Sequence, residues 1–302
     1  MRIGIDVGGT KIEAIALDEL GRALDRRRIA APRGHYERTI DAVRDMVAGL
    51  ERDYGRRGTV GVCMPGALSS ATGLVKNANS TWLIGQPFDR DLAAALGRPV
   101  RVMNDANCFA LSEAVDGAAA GASVVFGVIL GTGVGGGVVV DRRIVVGRNA
   151  IAGEWGHNPL PWPADGERPG PPCYCGRSGC VETFVSGPGL ARDYEAAAGV
   201  AGSAEEVVAR AEKGDPAAAV AFARYQDRLA RALAIVINVL DPDVVVLGGG
   251  LSNARSLYGG LPGRLADYVF SDRVDTPVVP PKHGDSSGVR GAAWLWPSEA
   301  GT

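Results

Sequence analysis

A strand, a glycine-rich turn and a returning strand occur twice in this chain, and that repetition narrows the folds open to it. In the first copy Ile3 to Val7 is an apolar strand, Gly8-Gly9-Thr10-Lys11 the turn and Ile12 to Leu17 the return. In the second, Val124 to Leu130 enters Gly131-Thr132-Gly133-Val134-Gly135-Gly136-Gly137 and leaves through Val138-Val139-Val140. A tight hairpin turn exposes backbone N–H groups in a concavity that suits a phosphate; the bland alternative is a turn and no more. Gly131, Gly133 and Gly136 satisfy the spacing Gly-x-Gly-x-x-Gly, but a dinucleotide fingerprint must open a helix. Here the chain runs on into a β-branched strand. The first copy is no Walker loop either, since it lacks the Gly-Lys-Ser/Thr ending before a helix. The units 3–17 and 124–146 therefore read as an internal duplication with a nucleotide phosphate chain held between related halves. Asp243 to Leu247 followed by Gly248-Gly249-Gly250 is a third strand-to-glycine transition, where close backbone approach admits a nucleoside.

Two carboxylates stand at strand ends. Asp6 lies beside the first turn and is suited either to a hydrated magnesium ion or to simple turn formation. Asp105 follows the strand Val100 to Met103 and precedes a small-residue helix from Ala106 to about Ala119. It either caps that helix or works as a ligand group, because open α/β sheets collect ligands at the carboxyl ends of their strands. Tyr36, Ile40, Val43, Val47 and Leu50 recur at helical spacing. Asp215-Pro216 opens a long helix through Phe222, Leu229, Leu233, Val236 and Ile237 to Leu240, whose apolar stripe is expected to be core.

A chain of 302 residues with 46% hydrophobic content can build two domains with substantial cores. Its net charge of -2 and pI near 6.0 offer no basic field to nucleic acid or an anionic membrane. Arg26-Arg27-Arg28 is expected to be a solvated strand end. No apolar run reaches the length of a membrane span, and the N-terminus enters a strand without a signal-peptide pattern. A cytoplasmic protein is expected.

Five cysteines, three of them between 173 and 180, do not form a disulfide framework in that compartment. Cys173, Cys175 and Cys180 with His157 make up the three thiolates and one imidazole of a structural zinc site. The preceding stretch, Pro159 to Pro172, holds six prolines and must be a loop that a metal could order. His157 can ligate through one ring nitrogen and meet a polar partner through the other. Glu154 and Glu182 flank the set and suit a polyhydroxylated ligand, or are solvated surface.

Taken together, Asp6-Val7-Gly8-Gly9-Thr10-Lys11, Asn104-Asp105, Leu130 to Gly137, Gly153-Glu154-Trp155-Gly156-His157 and Cys173 to Glu182 resemble the ROK family of sugar kinases and regulators. The segments Lys76 to Trp82, Asn104 to Cys108, His157 to Trp162 and Lys282 to Trp296 are similar to its fructose- and mannose-phosphorylating members. The resemblance implies an α/β fold of the actin-like ATPase (ribonuclease H-like) type, with two duplicated α/β domains and an interdomain cleft. The smaller domain would take residues 1–117 plus 289–302, the larger 118–288. It implies ATP- and Mg²⁺-dependent phosphorylation of a hexose at its 6-hydroxyl, with fructose favoured, mannose second, and N-acetylhexosamine or glucose as alternatives. Asp105 would be the general base. The sugar would meet Gly66, Asn79, Asn104, Asp105, Gly133, Glu154, His157 and Glu182. ATP phosphates would meet Gly8 to Lys11 and the turn from Gly131 to Gly137, with Gly249 and Gly250 near the adenosine, and zinc would take His157, Cys173, Cys175 and Cys180. A homodimer is implied as well. Arg148 and Ala150 stand where many relatives carry small residues or glycine, which bears on substrate breadth. Regulators of the family carry a DNA-binding domain ahead of the first strand; with that strand beginning at Ile3, an enzyme is expected rather than a sugar-binding regulator.

Overall fold

The computed structural model describes residues 1–284 and 287–297. Two compact units divide them: the first holds Met1–Gly121, Arg142–Ala152 and the described residues from 287 on, the second Ala122–Asp141 and Gly153–Gly284.

In the first unit β1 (Arg2–Val7) pairs antiparallel with β2 (Lys11–Leu17), and β2 with β3 (Ala23–Ala30). On its other side β1 runs parallel to β4 (Thr59–Met64). The chain reaches β7 (Arg101–Asn104), parallel to β4, by way of α1 (Tyr36–Tyr54), the small hairpin β5 (Ala67–Leu68) and β6 (Val75–Lys76), and α2 (Phe88–Leu96). Helix α3 (Asp105–Val115) then leaves β7 directly. Ile3, Ile5 and Val7 on β1 pack with Ile40, Val43, Met46, Val47 and Leu50 of α1. The apolar stripe stops at Leu50 but the helix continues to Tyr54 and ends at Gly55, in the left-handed conformation at φ 64°, so stripe and helix have different ends.

The opposite sheet face is covered by the C-terminal helix Ser287–Ala293. It lies at backbone contact: a Cβ on Gly4 would sit 2.0 Å from the Val289 carbonyl, and one on Gly61 1.9 Å from that of Ala292. Both faces of β1 are thus buried, which is why that strand reads as a continuous apolar run rather than an alternation. The arginine cluster lies within β3, not at a solvated end. Arg26 and Arg28 bond the Glu13 carboxylate of β2, which is 1% exposed, and Arg27 pairs with Asp25 and Asp53. A buried acid of this kind needs such partners.

The second unit repeats the pattern. β8 (Val124–Leu130) pairs antiparallel with β9 (Val134–Val140); the chain passes the two-residue β10 (Arg143–Ile144), and β8 runs parallel to β11 (Val244–Gly248), which is parallel to β12 (Val278–Val279). Between β10 and β11 lie α4 (Val181–Val185), α5 (Gly187–Ala198), α6 (Ala204–Glu212) and α7 (Pro216–Leu240), and α8 (Arg255–Leu265) follows β11. An antiparallel hairpin flanked by parallel strands in both units is the duplication that the repeated glycine turns indicate. Helix α7 starts as its sequence dictates: Asp215 accepts the Ala218 N–H at 3.0 Å, with Pro216 at the first helical position. Its Leu229, Leu233 and Ile237 share one core with Phe126, Val128, Val245 and Leu247. No described helix is long and apolar enough to cross a membrane.

Candidate active site

The junction of β7 and α3 sets the position of Asp105. The cap of α3 is Asn104, whose side-chain oxygen accepts the N–H groups of Ala106 at 2.9 Å and Asn107 at 3.3 Å. Its amide nitrogen donates to the Gly66 carbonyl at 3.0 Å. Asp105 is therefore the first helical residue and is not needed as the cap. One of its oxygens accepts the Ala106 N–H at 2.9 Å, which orients the half-buried carboxylate at a helix end that favours an anion. Gly66 has φ +86°, and a Cβ there would lie 2.4 Å from the Lys76 carbonyl and 2.9 Å from Ala78 Cα. Only glycine lets this loop close. Asn104, Asp105, Gly66 and the segment leading to the exposed Asn79 are thus one neighbourhood.

At the first turn, Gly8 donates its N–H to the Lys11 carbonyl at 3.0 Å, and Arg33 bonds the Gly9 carbonyl at 2.9 Å. Lys11 turns back along the strand, its Nζ 3.7 Å from Glu13. Thr10 is exposed at the tip. Beside the turn, 3.9 Å from where a Gly9 Cβ would stand, lies the buried Ser80 hydroxyl, which has no hydrogen-bond partner among the described residues. Asp6 faces Glu13 across the hairpin. Burial raises its carboxyl above the usual range, with the Cys63 thiol bond opposing.

The second turn is shorter than the glycine run. Gly131 donates to the Gly133 carbonyl at 3.0 Å and accepts from Gly187 at 2.8 Å, with Thr132 exposed between. Gly135, Gly136 and Gly137 are ladder residues of β9, paired with Ile129, Val128 and Gly127. A Cβ on Gly136 would lie 2.7 Å from both the Gly153 carbonyl and Trp155, so glycine is required there for packing. Glu182, in the first turn of α4, accepts the Val134 N–H at 2.9 Å and stands 2.7 Å from the Cβ position of Gly133. Its carboxylate backs directly onto the turn. Gly249 has φ +81° and would clash with the Leu130 backbone at 2.4 Å if it bore a side chain; Gly250 beside it is exposed.

His157, Cys173, Cys175 and Cys180 converge, their ligand atoms all within 4.8 Å of one another. The His157 Nδ1 to Cys173 Sγ distance is 3.5 Å, and Cys175 Sγ to Cys180 Sγ is 3.6 Å. Around a tetrahedral zinc, a sulfur and a nitrogen stand about 3.6 Å apart and two sulfurs about 3.8 Å. The donor set fits that ion. A backbone hydrogen bond from Arg177 brings the Cys175 thiol down to about 7, while burial and the neighbouring sulfurs push Cys180 up to about 12. Gly176 and Gly179, at φ +87° and +73°, turn the chain around the set. His157 Nε2 meets the Tyr174 hydroxyl at 2.9 Å. Because Glu154 precedes the short 3₁₀ turn ending at His157, and Cys180 is the N-cap of the helix carrying Glu182, a metal here would join the two segments that bear these carboxylates.

The proline-rich loop has a second anchor that spacing did not signal. Glu167 accepts from Arg228 Nε at 2.7 Å and from both terminal nitrogens of Arg231 at 2.9 Å. Arg231 also bonds the carbonyls of Pro161 and Trp162. Both arginines lie within the apolar stripe of α7, and charge at core spacing was the available sign. Burial acts to raise the Glu167 carboxyl, but hydrogen bonds from Arg231, Arg228 and the Ala164 N–H outweigh it and hold the group at about 2, against an ordinary 4.5. A depressed folded-state value contributes stability above the unfolded value, lost as pH falls toward the folded one. Wild type is expected to lose stability between about pH 4.5 and 2, and Glu167→Gln to lose less over that window from a lower start. Denaturant midpoints measured at stepped pH check this; parallel profiles would contradict it.

The segment with Arg148 and Ala150 holds Ala150 at φ +53°, a conformation that glycine adopts without strain.

Comparison with known proteins extends over nearly the whole chain. The ROK family model matches residues 2–299. An N-acetyl-D-glucosamine kinase of Photobacterium profundum is 41% identical over 299 residues, covering 98% of this chain and 99% of that protein. The enzyme of the same name from Escherichia coli O127:H6 is 40% identical over 300 residues, with 98% and 99% covered. Among solved structures, a ROK hexokinase from Thermus thermophilus aligns with TM-score 0.86 and 33% identity over 97% of this chain and 96% of that one. A ROK glucokinase from Streptomyces griseus, solved with glucose and AMPPNP, aligns with TM-score 0.78 and 28% identity over 97% and 98%.

Proposed function

Since the chain belongs to the ROK family and is a sugar kinase, we propose that it transfers the γ-phosphoryl group of Mg-ATP to the 6-hydroxyl of N-acetyl-D-glucosamine. The observation that carries the reaction is the placement of Asp105: Asn104 takes over the capping of α3 and leaves the neighbouring carboxylate oriented at a strand end. Asp105 accepts the hydroxyl proton as the phosphoryl group arrives. A carboxylate is a weak base toward an alcohol, but a loose phosphoryl-transfer transition state needs orientation and late proton removal more than basicity.

Gly66, Asn79 and Asn104 are proposed to bond sugar hydroxyls, as are Gly133, Glu154, His157 and Glu182. Each polar group left unpaired in a closed site costs about 1–3 kcal/mol, which favours a set rich in carboxylates and amides. The turns Gly8 to Lys11 and Gly131 to Gly133 are proposed for the ATP phosphates and Gly249-Gly250 for the nucleoside. Gly8 and Gly131 already direct their N–H groups to Lys11 and Gly133; Gly9, Thr10, Thr132 and the Ser80 hydroxyl are the better-placed donors. Asp6 is proposed to hold magnesium, which supplies charge compensation to the phosphates. His157, Cys173, Cys175 and Cys180 would hold zinc, which supplies rigidity to the loop. A homodimer, checked by light scattering, belongs to the same reading.

N-acetyl-D-glucosamine as acceptor is supported by the named kinases at 40–41% identity along the full chain. Fructose, with mannose, is the second reading, favoured by the likeness of Lys76 to Trp82 and His157 to Trp162 to kinases of those sugars. Pocket shape separates such acceptors by about 1–3 kcal/mol per added or missing group, roughly 10- to 200-fold. Steady-state kcat/KM with N-acetyl-D-glucosamine, N-acetyl-D-mannosamine, glucose, mannose and fructose decides between them. N-acetyl-D-glucosamine is expected to lead by at least about tenfold; fructose in the lead would establish the second reading.

A further inference from the structure

Of the cations between Arg2 and Arg33, only the last lacks a carboxylate among the described residues. Arg2 stands by Glu19 and Arg22 by Asp18; Lys11, Arg26 and Arg28 meet Glu13, and Arg27 pairs with Asp25 and Asp53. Arg33 is exposed and reaches the first glycine turn through Nε, which donates to the Gly9 carbonyl at 2.9 Å. Its two terminal nitrogens carry the rest of the planar donor fork and have no protein partner among the described residues. The backbone places Arg33 without help from that side-chain bond. Ala30 closes the ladder opposite Lys11, Ala31 donates its N–H to the Thr10 carbonyl at 3.0 Å, and the Arg33 N–H bonds the Ala31 carbonyl at 2.9 Å in a three-residue turn about Pro32. The bond to Gly9 therefore aims the guanidinium rather than closing the turn.

A phosphate chain at this turn needs such a cation. Magnesium cancels only part of the charge of ATP, and Gly8, Gly9 and Thr10 offer neutral donors alone. Asp6, at the end of β1, adds negative charge, and the Lys11 ammonium is shared with Glu13. Phosphoryl transfer is accelerated chiefly by positioning and by stabilising charge on the phosphoryl oxygens, and a guanidinium meets such oxygens two at a time. We propose that Arg33 is a substrate-contacting residue of the kinase: its terminal nitrogens donate to non-bridging oxygens of the β- and γ-phosphates of Mg-ATP. As the sugar 6-oxygen bonds the γ-phosphorus, the bond from that phosphorus to the β,γ-bridging oxygen breaks. ADP leaves with the electron pair, and the hydroxyl proton passes to Asp105; Arg33 balances charge on the phosphates throughout. This inference rests on the reading of Gly8 to Lys11 as a phosphate turn.

Arg33→Met keeps the aliphatic stem and removes every donor; Arg33→Lys restores a point charge without the fork. Binding of the non-hydrolysable analogue Mg-AMPPNP is measured calorimetrically for wild type and both variants. KM for Mg-ATP and kcat, with the acceptor of highest kcat/KM in the sugar series, are measured across a range of ionic strength. Loss of charge-assisted bonds is expected to weaken Mg-AMPPNP binding and raise KM for Mg-ATP about 10- to 100-fold in Arg33→Met. Arg33→Lys should recover part of that loss, with sugar affinity and melting temperature as in wild type. KM for Mg-ATP should also rise less steeply with salt in Arg33→Met, because a cation that met the phosphates is gone. A residue that merely pins the Gly9 carbonyl would leave that slope in place. Unchanged nucleotide affinity in Arg33→Met, or weakened affinity with the wild-type salt slope, would overturn the inference and leave the kinase reading intact. A wild type that binds no Mg-nucleotide would overturn both.

Discussion

Asp105→Asn is expected to lower kcat by about 10²- to 10⁴-fold, the range that a positioned general base contributes. The substitution keeps side-chain size and the ability to accept the Ala106 N–H, so α3 should start where it does now. Asn104 supplies the cap independently, and the melting temperature should move little. Sugar and nucleotide binding should survive within a few-fold, because the missing group acts in the transition state rather than in the ground state. Single-turnover phosphate transfer with saturating Mg-ATP, alongside calorimetric sugar binding, measures both. A loss of binding as large as the loss of rate would mean that Asp105 is a ligand anchor and not the base.

The second large effect is expected from the metal set. Cys180 is 1% exposed, caps α4 and shares its surroundings with the His157 carbonyl. Cys180→Ser, or treatment with a strong chelator, should release zinc. The loop 158–180, with six prolines between 159 and 172, buries little apolar surface of its own and depends on cross-links. Binding of structural zinc is folding free energy; losing several kcal/mol in a domain of this size lowers Tm by roughly 10 °C. The Glu167 clamp still ties the middle of the loop to α7, so local release rather than complete unfolding is expected. Because Glu154 and Glu182 border the set, sugar affinity should fall with it, while nucleotide binding persists. Zinc analysis, a thermal melt and sugar titration on the same variant test this. Full zinc loss with an unchanged melt would contradict the structural role.

The hairpins were legible because their signal is local: apolar strand, glycine turn, apolar strand, with register fixed by the turn. The parallel strands β4, β7 and β11 were legible as apolar runs, but what packs against them was not. Gly4 and Gly61 prepare a backbone-contact seat for the C-terminal helix, whose own Gly291 lies against the Cys108 backbone of α3, and a missing side chain leaves no periodic mark. The glycine run after Leu130 misled in the same way. Gly131 to Gly133 make the turn, whereas Gly135 to Gly137 sit in the strand, where Gly136 clears room for Trp155; glycine for turning and glycine for close packing look alike in one dimension.

The convergence of His157 with Cys173, Cys175 and Cys180 could be read from side-chain chemistry alone, since three thiols and an imidazole around Gly176 and Gly179 suit a metal and have few other uses. Asn104 could not be told from Asp105 as the cap, because both are good N-caps and the choice is made by one residue of phase where β7 ends. The pairing of Glu167 with Arg228 and Arg231 spans more than sixty residues of sequence, beyond any spacing rule. Arg33 was invisible for the opposite reason: a single arginine after a proline carries no pattern until its guanidinium is placed on the Gly9 carbonyl.

Identifying the product tests phosphoryl transfer to the sugar 6-hydroxyl without relying on any variant. Zinc-replete protein is incubated with Mg-ATP and N-acetyl-D-glucosamine, and the reaction is followed by phosphorus NMR with proton correlation. One new phosphomonoester coupled to the C6 protons of the sugar is expected, formed in step with ADP and at least about 100-fold more slowly with Asp105→Asn. No sugar phosphate with any hexose of the series, or phosphate released to water at the same rate with and without sugar, would contradict it.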